Sequence, residues 1–133
     1  MNEADTRAEF IDKQLAAAGW ITSADTGVRV RREYNINAGE IRSSGMRTGQ
    51  LKADYILEYK NTKLAVVEAK SNELDVSEGV AQAKLYAQKL RLQTSFAANG
   101  KAIYEINHAA GTEGEVEVFP SPEELWQRVY GSG

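Results

Sequence analysis

The stretch ADYILEYKNTKLAVVEAK, Ala53 to Lys70, constrains this chain more than any other. Two apolar-rich runs of strand length flank Lys60-Asn61-Thr62. That connection has hairpin length, and its asparagine tolerates the left-handed backbone. A hairpin in mid-chain demands a sheet around it. Its second run, Leu64-Ala65-Val66-Val67, leads straight into Glu68-Ala69-Lys70. Glu68 and Lys70 are two apart and point to one side of a strand. Charges there mean that the strand leaves the core, or that the core ends at a reactive site.

Register decides between these. A three-residue loop, Lys60 to Thr62, predicts that Tyr59 faces Lys63, Glu58 faces Leu64, Ile56 faces Val66 and Asp54 faces Glu68. Opposed residues share a face, with Cβ atoms about 4.5–5.5 Å apart. A two-residue loop turns Asp54 to the other side, because a one-residue slip flips every side chain. In the first register two carboxylates and the Lys70 ammonium converge. Carboxylates this close repel, and one pKa rises unless a cation sits between them. A hard divalent cation with oxygen ligands fits, and Mg²⁺ is held by one or two carboxylates plus substrate phosphate. Such an ion polarises a phosphodiester and acidifies its water. Lys70 can orient that water and offset developing negative charge. Glu-x-Lys alone is a weak motif: Glu58-Tyr59-Lys60 repeats it without a matching aspartate.

The remaining sequence supplies helices around further strands. Asn2 or Asp5 caps a first helix with Ala4, Ala8, Ile11, Leu15 and Ala18 on one face. Gly19 stops it, and Trp20 packs back on it. Val28 to Ile36 alternates as a strand. Asn37 to Lys52 reads as a long loop with three glycines and with Arg42, Arg47 and Lys52, of a length that is functional or disordered: either a solvated mobile loop or one that contacts phosphate. Asp75-Val76-Ser77-Glu78 has capping-box spacing. It opens a helix whose buried stripe is Val76, Val80, Ala83, Ala87 and Leu90. Gly79 inside it costs about 1 kcal/mol relative to alanine and allows close packing. Gln82 and Tyr86, four apart, share another face of that helix.

Thr94 to Ala98 and Ala102 to Ile106 read as strands joined through Asn99-Gly100. Gly111 to Gly114 reads as a loop and Val116 to Phe119 as a short edge strand. Ser121 and Pro122 open a last helix as N-cap and first residue. His108 reads as a loop histidine, and Trp20 and Trp126 as packing residues. Helices before and after the strands imply an α/β fold, a central mixed sheet flanked by helices.

Composition narrows the chemistry. The 133 residues suit one domain. With no cysteine and one histidine, disulfides, thiolate sites and a His-based zinc site drop out. No apolar run is long enough to cross a membrane, so a cytoplasmic protein with no membrane partner is expected. A net charge of −3 argues against a generally sticky nucleic-acid binder but not against a local basic patch.

Asp54, then Glu68-Ala69-Lys70, then Gln82-Ala83-Lys84-Leu85-Tyr86 resembles the PD-(D/E)xK nuclease superfamily, in the branch with a Gln-x-x-x-Tyr motif on the next helix. "NEADTRAEFIDKQLAAAGW", "VVEAK" and "FPSPEELWQR" resemble the N-terminal nuclease domain of the restriction (R, HsdR) subunits of type I restriction–modification enzymes. Ala53 stands where the superfamily pattern has proline. The resemblance implies a restriction-endonuclease-like αβββαβ core in a single nuclease domain over residues 1–133. It implies Mg²⁺ on Asp54, Glu68 and the Ala69 carbonyl, with Lys70 as catalytic lysine. Gln82, Tyr86 and Glu3 would be auxiliary, with Arg7 one turn from Glu3. Arg29, Arg31, Arg42, Arg47 and Lys52 are candidate phosphate contacts.

In that family, helicase-like motor domains follow and use ATP. Nothing here resembles a nucleotide-binding loop, so the chain is expected to be an isolated nuclease fragment of a longer R subunit or a short relative, and the trailing Gly131-Ser132-Gly133 favours the fragment. Its partners would be double-stranded DNA and, through the full-length protein, the modification and specificity subunits. The alternatives are a stand-alone RecB-like or junction-resolving nuclease, and a catalytically silent nuclease-fold module that binds DNA or a protein.

Overall fold

The structure is a computed structural model and describes residues 2–36 and 51–131. Arg42 and Arg47 lie outside the described residues. A six-stranded mixed sheet runs in sequential order: β1 (Val28–Ile36), β2 (Leu51–Tyr59), β3 (Thr62–Ala69), β4 (Thr94–Ala98), β5 (Ile103–Asn107) and β6 (Thr112–Val116). All neighbours are antiparallel except β3 and β4, which are parallel. Parallel neighbours need a crossover, here a 3₁₀ turn Val76–Gly79 followed by helix α3 (Val80–Leu90). Ahead of the sheet run α1 (Glu3–Thr6), a π-helical turn Arg7–Ile11 and α2 (Asp12–Ala17); α4 (Pro122–Tyr130) closes the chain. The αβββαβ order is present, extended by β5, β6 and α4.

Each sheet face has its own core. The larger packs Ile11, Leu15, Trp20, Tyr55, Val67, Phe96 and Leu125 under the N-terminal helices and α4. The smaller packs Ile36, Ala53, Ile56 and Val66 against Tyr86 and Ala87 of α3. Covering both faces explains why β2 and β3 read as nearly continuous apolar runs rather than alternating ones.

The central hairpin reaches the expected site register by an unexpected route. Its loop has two residues, since Tyr59 pairs with Thr62 and Glu58 with Lys63. Lys60 and Asn61 have φ of 52° and 61°, both positive as a type I′ turn requires. Such a loop alone would turn Asp54 away from Glu68. The register shifts by one between Glu58 and Leu57, and from there Leu57 pairs with Ala65, Ile56 with Val66 and Tyr55 with Val67. Leu64 is the extra residue of a β-bulge. Leu64 and Ala65, adjacent in sequence, accordingly both join the larger core. Tyr59–Lys63 and Glu58–Leu64 pairing is corrected; Ile56–Val66 stands.

Other expectations need correction. The N-terminal stripe holds at Ile11 and Leu15, but Ala4 and Ala8 are exposed and Thr6 is fully buried. A π turn carries more residues per turn than an α-helix, so it rotates everything upstream and brings Glu3, Thr6 and Arg7 inward. The last strand is Thr112–Val116 rather than Val116 to Phe119. Phe119 leaves the sheet to pack edge-on against Phe96, ring centres 5.2 Å apart. The crossover helix begins with a 3₁₀ turn, capped as expected by Asp75, whose side chain accepts from the Ser77 N–H.

The loop read as Asn37 to Lys52 ends sooner, since Leu51 and Lys52 belong to β2, and residues 37–50 lie outside the described residues. The loop read at Gly111 to Gly114 is largely taken up by β6, and Tyr86, read as lying off the buried stripe, joins the smaller core. Several other signals are found where they were read. Asn2 caps the first helix. Trp20 is buried and its indole N–H donates to the Pro120 carbonyl at 2.8 Å. Ser121 and Glu124 form a reciprocal capping box with Pro122 at the helix start. Trp126 packs edge-on against Tyr59. His108 lies in the β5–β6 turn, where its Nε2 meets Ser95 Oγ at 2.9 Å. Among the described residues no helix is long and apolar enough to cross a membrane.

Candidate active site

Asp54 and Glu68 meet where the β2–β3 ladder ends. Beyond the Tyr55–Val67 pair, side chains replace the missing backbone partners. The Asp54 N–H donates to Glu68 Oε2 at 3.0 Å, and the Ala69 N–H donates to Asp54 Oδ2 at 2.8 Å. Each carboxylate therefore has an orientation fixed by the backbone of the other strand.

Glu68 is 2% exposed, and burial with the Asp54 charge beside it pushes its carboxyl up to about 8. Asp54 is raised as well, first by burial, against the lowering effects of the Ala69 N–H, Arg7 and Lys70. Glu3 is raised by partial burial and by Asp54. Desolvation and like charge act together here.

Lys70 follows on the same side of the strand as Glu68. Its N–H donates to the Ala98 carbonyl at 2.8 Å, which ties it to β4. Its stem lies against Gly79: a Cβ there would sit 3.3 Å from Lys70 Cγ and 3.2 Å from the Ala97 Cβ. The glycine is placed so that the 3₁₀ turn can close over the lysine.

The helices complete the surroundings. Gln82 Nε2 donates to the Tyr86 hydroxyl at 2.6 Å, and Tyr86 is buried. Arg7 reaches both Glu3 and Asp54, at 3.3 and 3.2 Å. Thr6 Oγ1 accepts from the Asn72 N–H at 3.1 Å and donates to the Asn2 carbonyl at 2.9 Å. It pins the start of the N-terminal helix to the loop leaving β3.

Of the basic candidates, Lys52 is exposed on β2, two residues before Asp54. Arg29 is exposed on β1, opposite Glu58 and so toward the other end of the sheet. Arg31 is paired through Nε with the buried Glu58.

Two neighbours of Asp54 gave no sequence signal. Glu33 lies between the Arg32–Tyr55 and Tyr34–Ala53 pairs, hence opposite Asp54. Its φ is 48°, a left-handed value rare for such a residue and typical of functional sites when it occurs. Asp12 accepts from the Tyr55 hydroxyl at 2.6 Å and from Arg32 at 2.9 Å. These residues, with Arg7 and Asp54, line a cavity of about 160 Å³ beside the acidic pair.

The donor set fits a hard cation. Asp54, Glu68 and the Ala69 carbonyl offer oxygen only. Among the described residues no three His, Cys, Asp or Glu are gathered as a metal cluster, so water or substrate oxygens would fill the remaining positions, the usual habit of Mg²⁺.

Residues 21–122 match the family profile described as the type I restriction enzyme EcoKI endonuclease subunit second domain. The chain belongs to this type I restriction endonuclease-subunit family. It is 32% identical over 139 aligned positions to the type I restriction enzyme EcoAI endonuclease subunit of Escherichia coli, covering 96% of this chain and 16% of that protein. A solved fragment from Vibrio vulnificus YJ016, assigned as an HsdR subunit of a type I restriction enzyme, superposes with a TM-score of 0.86 at 33% identity. That match covers 98% of this chain and 26% of the solved one. The chain thus spans only a small part of the relatives it matches.

Proposed function

We propose that this family member is a Mg²⁺-dependent endonuclease domain of PD-(D/E)xK type, which hydrolyses DNA phosphodiesters within a type I restriction enzyme. The supporting observation is the reciprocal Asp54–Glu68 arrangement at the sheet's rim with Lys70 beside it. Asp54, Glu68 and the Ala69 carbonyl would hold the ion. The chemistry it supplies when bound is polarisation of the phosphodiester and a lowered pKa for water.

The chain's own residues do the rest. The Ala69 and Asp54 N–H groups keep both carboxylates aimed. Lys70, steadied by Ala98 and Gly79, presents a positive charge to the attacking water and to the phosphate as charge develops. Gln82, hydrogen-bonded to the buried Tyr86, offers its amide to the DNA backbone or buttresses the site. Glu3 contributes a third negative charge. Lys52, two residues before Asp54 on β2, would contact a phosphate near the site. Arg29 reaches a more distant phosphate, and Arg31, neutralised by Glu58, contributes less.

The whole chain is one nuclease domain of a longer R subunit, whose motor domains use ATP and lie outside this chain. DNA reaches the site through a complex with the modification and specificity subunits. An acidic domain neutralises few phosphates, so alone it binds DNA weakly.

The test is Mg²⁺-dependent cleavage by the full-length subunit in its complex, wild type against Lys70→Ala. Cutting is expected to vanish in the variant while its thermal unfolding is retained. Equal cutting by both proteins rules the reading out.

A further inference from the structure

Both oxygens of Asp54 are engaged, and by partners of different kinds. Oδ2 accepts from the Ala69 N–H, a donor fixed in β3. Oδ1 accepts from Arg7 Nη1, the end of a long side chain from an element 47 positions away. The contact is well shielded, with side-chain exposures of 22% for Arg7 and 16% for Asp54. The same Nη1 lies 3.3 Å from Glu3 Oε1, and Glu3 is 42% exposed. Arg7 therefore has an inner carboxylate and an outer one within reach of a single nitrogen.

We propose that Arg7 is a displaceable counter-ion: it holds Asp54 Oδ1 until a divalent cation takes that oxygen, then shifts outward onto Glu3, and so raises the cation concentration the site requires. This rests on the metal-binding reading of Asp54 and Glu68 above.

Three features support the exchange. A guanidinium keeps its charge at any working pH, so it cannot yield to a cation by losing a proton and has to move. Glu3 gives it somewhere to go at little cost, since an i,i+4 pair one turn away needs only a side-chain rotation. Arg7 stands four residues before the buried Ile11 and so faces the sheet, and a π turn begins at it. Short π segments recur at functional sites.

A purely structural role predicts the opposite sign. If Arg7 served only to hold Asp54 in place, removing it would loosen the carboxylate and weaken cation binding. As a competing counter-ion, its removal tightens binding.

The experiment is calorimetric titration of the 133-residue chain with Mn²⁺ at fixed pH and ionic strength, for wild type, Arg7→Met, Arg7→Lys and Asp54→Asn. Methionine keeps much of the apolar stem without the charge. Arg7→Met is expected to bind Mn²⁺ about five- to tenfold more tightly, the scale of one partly shielded ion pair. Arg7→Lys should stay near wild type. Unchanged or weaker binding by Arg7→Met, with native circular dichroism, overturns the proposal. Should Arg7→Met lose the helix, Arg7→Gln carries the same comparison. If Asp54→Asn weakens binding while neither neutral variant tightens it, only the counter-ion role falls. If Asp54→Asn leaves binding unchanged, or no variant binds Mn²⁺, the metal reading fails and takes the counter-ion with it.

Discussion

Asp54 and Glu68 hold each other in place across the β2–β3 hairpin, each through a backbone N–H of the facing strand. The Asp54 N–H donates to Glu68, and the Ala69 N–H to Asp54. The arrangement fixes both carboxylates. It also fixes two like charges where water is scarce, which has a measurable consequence for folding.

Glu68 is held up to about 8 against an ordinary value of 4.5. Between these values the native chain keeps the proton that the unfolded chain has released. The unfolded state then binds fewer protons, so stability falls as pH rises through that window. The stabilisation is complete below about pH 4.5 and lost above about pH 8, with a swing on the order of a few kcal/mol. Asp54, also raised, adds in the same direction. Urea unfolding of the metal-free chain in chelator, at pH 5.5 and 8.5, should show this loss. Glu68→Gln, a stand-in for the protonated acid, should flatten much of it. A wild-type stability that rises over the same interval would sink the assignment.

Gly79 bears on Lys70 by contact alone. Its φ is not in the left-handed region, so alanine meets no backbone strain there, and its helix propensity favours substitution by up to about 1 kcal/mol. Against this stands crowding, since the new methyl would lie 3.2–3.3 Å from the Ala97 Cβ and Lys70 Cγ. The Ala97 side chain is buried and cannot yield, so Lys70 moves. Gly79→Ala should therefore cut DNA roughly tenfold more slowly in the full complex, the scale of a small misplacement at a reacting centre. Its melting temperature should change by only a few degrees. Cleavage at the wild-type rate would show that the lysine tolerates displacement.

Tyr55 and Asp12 offer a control that separates fold from site. The Tyr55 hydroxyl donates to Asp12 at 2.6 Å, and burial together with that bond raises its pKa. Tyr55→Phe removes the donor but leaves Asp12 paired with Arg32. The expected loss is about 1–2 kcal/mol in denaturant unfolding, with Mn²⁺ affinity unchanged. A change in affinity would extend the site to Asp12.

The sequence carried the hairpin, the crossover helix, the caps and the Asp54–Glu68 pairing, because those follow from apolar runs and turn chemistry. It hid the bulge at Leu64. Both faces of β2 and β3 are buried, so a one-residue slip costs no apolar residue its environment, and hydropathy is silent on register. A loop one residue too long and a missed bulge cancelled, leaving Asp54 correctly placed. The β6 strand was hidden differently: Thr112 to Val116 is a half-exposed, glutamate-rich edge that lacks the strand composition. The π turn and the left-handed Glu33 leave no mark in local residue type or spacing. No local window contains both ends of an interaction such as Arg7 with Asp54.

The hairpin turn gives a last expectation, in which two effects compete. Asn61 at φ 61° and Lys60 at φ 52° both occupy the left-handed region, where glycine avoids a cost of about 1 kcal/mol. Asn61 already reduces that cost, being one of the residues that tolerate the region, so Asn61→Gly should stabilise by only a few tenths of a kcal/mol. Lys60 bears the larger strain, but its ammonium lies 4.6 Å from the Trp126 ring and 5.1 Å from Tyr59. Such contacts contribute about 0.5–1 kcal/mol at exposed sites. Lys60→Gly relieves strain and loses the aromatic contact, for a net change near zero. Lys60→Ala keeps the strain and loses the contact, and should destabilise by about 1 kcal/mol. Thermal unfolding of the three variants orders them Asn61→Gly, Lys60→Gly, Lys60→Ala from most to least stable. Equal stability of the two lysine variants would mean that the turn is not strained at position 60.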